Sequence, residues 1–177
     1  MQFKIILVFF IFSYTISNGQ KKFPALNKFG GVYDVPEATN IIDIKKKYKI
    51  VVDVMNAEKN PNTDFNRAYE LTARLYNLYA LAGLPKGNLD IVVVIHNEAS
   101  PTILSDESFE KEYKTKNPNT EIINTLGEAG VKFFVCGQSL RARNLVEYSK
   151  NPNIQVAHGA ILALSHFQNI GYSLLKL

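Results

Sequence analysis

Leu89-Asp90-Ile91-Val92-Val93-Val94-Ile95 is the stretch whose reading decides the architecture. From Ile91 onward it is an unbroken β-branched run of strand length. A strand of this kind is buried on both faces, as in a parallel sheet covered by helices, whereas one wet face would require alternation. Upstream, Tyr48 to Val54 reads as a second buried strand, and Asn60-Pro61-Asn62-Thr63-Asp64 as a loop and N-cap, with a helix starting near Asp64. In that helix Phe65, Ala68, Leu71, Leu75, Leu78 and Ala82 recur at three- and four-residue intervals, predicting one apolar stripe against the sheet. Gly83 and Pro85 close it as C-cap glycine and helix breaker.

Downstream, the polar segment Pro101 to Gly130 predicts two helical pieces, Asp106 to Tyr113 and Thr120 to Ala129, separated at Pro118. Val131 to Cys136 is a third strand, followed by a helix near Leu140 to Tyr148, a loop at Asn151-Pro152-Asn153 and a short strand at Ile154 to Val156. A final helix, Ala160 to Asn169, leads through Gly171 into a last strand within Tyr172 to Leu177. Strands alternating with helices at this spacing call for a three-layer α/β/α sandwich with a mostly parallel sheet. Ile41 to Ile44 fits either an edge strand or a turn.

The amino-terminal end bears on compartment. Lys4 precedes the apolar run Ile5 to Phe12, which is far short of the roughly 20 residues a membrane span needs. Small residues at Ser17 and Gly19 fit signal-peptidase cleavage before Gln20. Residues 1–19 are therefore expected to be a cleaved export signal, the competing reading being an uncleaved anchor. Residues 20–45 form a polar leader with Pro24, Pro36 and Gly30-Gly31, expected to pack loosely, and 46–177 form the folded domain. Loss of Lys4 lowers the net charge from +4 to about +3, too little for a nucleic-acid binder. One cysteine closes no internal disulfide, and three scattered histidines without Cys-x-x-Cys give no zinc-site pattern.

That cysteine, Cys136, sits where a strand hands over to a helix, a position in which helix-start N–H groups and the nearby Arg141 and Arg143 favour a thiolate. The competing reading is a buried, inert core thiol. If the strands adjoin in parallel, their carboxyl ends share one rim carrying Asp53 with Asn56, His96 with Asn97, and Cys136 with Gly137, Gln138 and Ser139. His96 is a candidate proton donor to a cysteine nucleophile or a plain hydrogen-bonded strand end, and Asp53 either orients a partner or faces a loop. His158 also falls near the rim, whereas His166 falls on the surface of the last helix. A phosphatase loop needs Cys-x5-Arg; here that position is Ala142, with Arg141 one step early. A rhodanese loop opens Cys-Arg, and this one opens Cys136-Gly137.

The order of the buried strand, the Asn56 loop, the Leu-rich helix, the strand ending in His96, the Gly130-Val-Lys-Phe-Phe-Val-Cys-Gly-Gln-Ser139 strand end and the closing Gln168-Asn-Ile-Gly-Tyr172 resembles the DsrE-like family over Ile50 to Leu177. The resemblance implies a sheet of about five strands, homo-trimeric or homo-hexameric assembly and, from its sulfur-relay members, a persulfide on the cysteine corresponding to Cys136. Together with the strand-end reading, this gives Cys136 and His96 as the expected reacting groups, Asn56, Gly137, Gln138, Ser139 and Arg141 as expected binding residues, no cofactor or metal, and a sulfur donor or acceptor protein or small sulfur compound as partner. With the export signal, the expectation is a periplasmic sulfur carrier. The alternatives are a ligand-binding or assembly module with a structural cysteine, and a redox-sensing thiol, which would need a resolving cysteine from a partner. Tyr76, Tyr79 and Phe167 are candidates for an oligomer surface.

Overall fold

The computed structural model describes residues 20–177, so the expected signal segment, 1–19, lies outside the described residues. Five strands are present: β1 (Tyr48–Val54), β2 (Leu89–Ile95), β3 (Lys132–Cys136), β4 (Ile154–Ala157) and β5 (Ser173–Lys176). They form one sheet in the order β4-β3-β2-β1-β5, every pair parallel. The register sets Asp53 between Val94 and Lys176, and Cys136 beside Ala157. Carboxyl ends of all the strands therefore lie along one rim, with β2 in the centre.

Side-chain alternation along the strands divides the core in two. Ile50, Val52, Ile91, Val93, Ile95, Phe133 and Val135 point into a large cluster shared with α1 (Arg67–Leu81), α2 (Asp106–Tyr113) and α3 (Thr120–Glu128). There Tyr69 meets the Phe133 ring edge-on, with centroids 6.2 Å apart, a spacing typical of aromatic pairs. Val51, Val92, Val94 and Cys136 point the other way, into a small cluster covered by α5 (Ala160–Asn169) and Tyr172. The three-layer expectation holds, with one thick helical layer and one thin one.

Four local expectations are corrected. The first helix starts at Arg67 because Asn66, not Asp64, caps it: Asn66 Oδ1 accepts the Ala68 N–H at 2.9 Å, while its own N–H donates to buried Asn119 Oδ1 at 2.7 Å. Its buried face is Ala68, Tyr69, Thr72, Ala73, Tyr76 and Asn77, while Phe65 and Leu78 are exposed. That face is rotated from the expected stripe because the helix is covered twice, by the sheet and by the leader.

The leader is not loosely attached. Leu26, Phe29 and Val32 are buried, and the buried Asn77 amide accepts the N–H groups of Ala25 and Leu26 and donates to the Phe29 and Gly30 carbonyls. Gly30 lies at φ +67°, and a Cβ there would come within 2.2 Å of the Ala73 carbonyl carbon, so only glycine lets the leader lie on α1. Finally, the helix after β3 is short. α4 (Gly137–Ala142) ends well before Tyr148, where the chain turns through Asn144 at φ +57°. Ile41–Ile44 forms no strand and leads into a turn over Asp43–Lys46, with the Lys46 N–H on the Asp43 carbonyl at 3.0 Å. Among the described residues no helix is long and apolar enough to cross a membrane.

Candidate functional site

Two tight turns build the site. At the end of β3, Cys136 caps α4, and its Sγ accepts the Ser139 N–H at 3.4 Å. Gly137 follows because a Cβ there would sit 2.9 Å from the Ala157 carbonyl oxygen; its absence lets this turn close against the turn between β4 and α5. The approach packs Ala160, at the start of α5, against Cys136. Burial pushes the Cys136 thiol up, but hydrogen bonds from the Ser139 hydroxyl and N–H, and from the Ala160 and Gln138 N–H groups, outweigh it and hold the thiol below its ordinary value of 9.0. The Ser139 hydroxyl is itself fixed, its oxygen accepting the Asn97 N–H at 3.0 Å. The turn after β2 thus supports the donor that faces the thiol.

His96 leaves the end of β2 with its N–H on the Val54 carbonyl at 2.9 Å. Its Nε2 lies 2.7 Å from Asp53 Oδ1 on the neighbouring strand. A carboxylate only accepts, so Nε2 carries a proton toward Asp53 and Nδ1 is the ring nitrogen left for other partners. Asp53 also lies 3.9 Å from the exposed Lys176 ammonium. Asp53 is thus a positioning residue for the imidazole.

Cys136, His96, Gln138 and His158 line one cleft of about 540 Å³. Its remaining wall is largely apolar, formed by Ala160, Ile161 and Leu162 of α5. Cys136 is only 5% exposed, whereas Ile161 and Leu162 are 88% and 61% exposed, so the thiol lies at the base and the apolar side chains at the mouth. Gln138 Nε2 donates to the His158 carbonyl at 3.2 Å, tying the two turns together.

The structure therefore gathers Cys136, His96, Gln138 and His158 around one space, with Gly137 and Ser139 shaping the sulfur's surroundings. Arg141 faces a neighbouring groove with Val156 and His158, and Asn56 lies in a separate groove with Asp53 and Arg67. His166 is exposed on α5 beside Phe167, and Tyr76 is buried with its hydroxyl donating to the Ala129 carbonyl. Among the described residues no group of three or more His, Cys, Asp or Glu is placed to hold a metal ion. A further cleft of about 400 Å³ lies at the amino ends of the strands between the leader and α1, lined by Leu26, Tyr76, Tyr79 and Leu84, remote from the thiol. Sequence reading missed the packing of Ala160 against Cys136 and the Ile161-Leu162 wall. One signal was present: Ala160-Ile161-Leu162-Ala163-Leu164 is apolar all round, more than a helix covering one sheet face requires.

A parallel α/β/α sheet whose central strands end in an amide-held thiol and a carboxylate-oriented imidazole defines a class of cysteine-centred strand-end sites. The sequence model of the DsrE/DsrF-like family matches residues 48–177, and the chain belongs to that family. Among solved structures it is similar to MTH1491 of Methanobacterium thermoautotrophicum, described as a protein of unknown function, at 17% identity and a TM-score of 0.57, covering 74% of this chain and all of that one (100%). It is also similar to the ychN protein of E. coli at 17% identity and a TM-score of 0.50, covering 73% of this chain and 99% of that one. These likenesses confirm the fold. No curated protein matches the sequence. The family points, in general terms, to sulfur relay.

Proposed function

We propose that this protein is an exported, periplasmic sulfur carrier that holds sulfane sulfur as a persulfide on Cys136, working as a homo-trimer or homo-hexamer. The observation that carries the reading is a thiol at the base of an open cleft, its Sγ accepting the Ser139 N–H and packed against Ala160 at the start of α5. A thiolate held this way attacks the outer sulfur of a donor R–S–SH. The donor's S–S bond breaks, R–S⁻ leaves with the electron pair, and Cys136–S–SH remains. Sulfur moves with no net oxidation, so no cofactor is required. His96, oriented by Asp53, keeps Nδ1 as the group suited to take the Cys136 proton as the thiolate forms and to hand that proton to the leaving thiolate.

The test is intact mass of the mature protein after incubation with inorganic polysulfide, beside Cys136→Ser. The expected result is a gain of one or more sulfur atoms, removed by reductant and absent from the variant. The 5% exposure of Cys136 favours one rival, a binding module with a structural cysteine. No mass gain, with the native thiol resisting alkylation, would select that rival.

A further inference from the structure

The cleft over Cys136 is uneven in chemistry. Cys136 and the half-buried His96 sit at its base, Gln138, His158 and Ser165 are exposed polar groups along its edge, and the α5 side is otherwise Ala160, Ile161 and Leu162. Among the described residues no lysine, arginine, aspartate or glutamate lines it; Arg141 opens into the adjoining groove, and Asp53 is turned to His96 and Lys176. A volume of about 540 Å³ falls in the range of small-molecule sites, which combine apolar walls with a few convergent polar groups. A small dianion such as thiosulfate meets no lysine or arginine here and gains nothing from the apolar α5 side. An uncharged organic group would instead cover Ile161 and Leu162, which otherwise stand 88% and 61% exposed to water.

We propose that the cleft selects its sulfur donor by apolarity: the substrate class is an organic persulfide, R–S–SH, with an uncharged hydrophobic R seated on Ile161 and Leu162. This rests on Cys136 being a sulfur acceptor. The Cys136 thiolate bonds to the outer sulfur, the R–S bond to that sulfur breaks, R–S⁻ departs with the electron pair, and the hydrogen on the outer sulfur is retained in Cys136–S–SH. R–S⁻ then takes the proton that left the Cys136 thiol, carried by His96 Nδ1 or returned through water. No oxidant or reductant enters.

The experiment compares two donors of like sulfur chemistry and opposite character, benzyl persulfide and 2-sulfonatoethyl persulfide. Loading rates of native protein are followed by intact mass, each divided by the rate on the unfolded chain, with inorganic polysulfide as a third donor. The expected result is a preference of about tenfold for benzyl persulfide, the effect of removing on the order of 50 Å² of apolar surface from water. In Ile161→Lys and Leu162→Lys, both at exposed positions, that preference falls toward unity or reverses. Equal normalised rates for the two donors, with polysulfide still loading Cys136, overturn the donor class and leave the carrier reading intact. Failure of all three donors to load the native protein overturns both.

Discussion

The two faces of the sheet are built to different standards. One carries α1, α2, α3 and the leader over a large dry core in which Tyr69, Phe109, Phe133 and Leu126 are fully or almost fully buried. The other carries α5 alone, over a small cluster that ends at Cys136. Stability resides on the thick side, and the proposed sulfur chemistry on the thin side. A thin cover leaves room beside the strand ends, and the strands that anchor the thiol and the imidazole are held in place from behind.

Substitutions should separate the two faces. Tyr69→Ala removes a fully buried ring against Phe133, and the hydroxyl that pairs with Thr102 at 2.6 Å, so a loss of about 3–5 kcal/mol is expected in urea unfolding. Asn77→Ala strips the buried backbone of Ala25, Leu26, Phe29 and Gly30 of its partner, costing about 2–4 kcal/mol and opening residues 20–40 to limited proteolysis. On the thin side, Ile161→Ser and Leu162→Ser should stay within about 0.5 kcal/mol of the parent, since both side chains are already wet. A thin-side loss as large as that of Tyr69→Ala would break the distinction.

The smallest expected effect is a pH slope. The native thiol lies below its ordinary value, so between the native and unfolded pKa values the unfolded chain binds more protons. Stability therefore rises with pH across that window and is lost as pH falls through the native pKa. Chemical unfolding at a series of pH values should show this slope in the parent and not in Cys136→Ser.

The strands were legible because Ile91 to Ile95 is an apolar run, and Ile50 to Val54 one interrupted only by Asp53, of the kind a doubly covered strand requires. The rim followed, since Asp53, His96 and Cys136 end adjacent parallel strands, and the pairing of Asp53 with His96 is a consequence of that register. Docking of the leader was not legible: its anchor is Asn77, a polar residue that periodicity assigns to solvent. The same blindness to polar burial misplaced the face of α1. The end of α4 depends on a left-handed turn at Asn144, which no strong local signal marks. The upper wall of the site comes from α5, remote in sequence from β3, and only the close approach permitted by Gly137 brings Ala160 against Cys136.

The most direct measurement is the alkylation rate of Cys136 by iodoacetamide as a function of pH, in the native protein and in denaturant. A reachable thiol held by the Ser139, Ala160 and Gln138 N–H groups predicts that the native protein reacts without unfolding, with a midpoint below that of the unfolded chain. A native thiol that reacts only as fast as the protein unfolds would contradict the assignment of the thin face to sulfur chemistry.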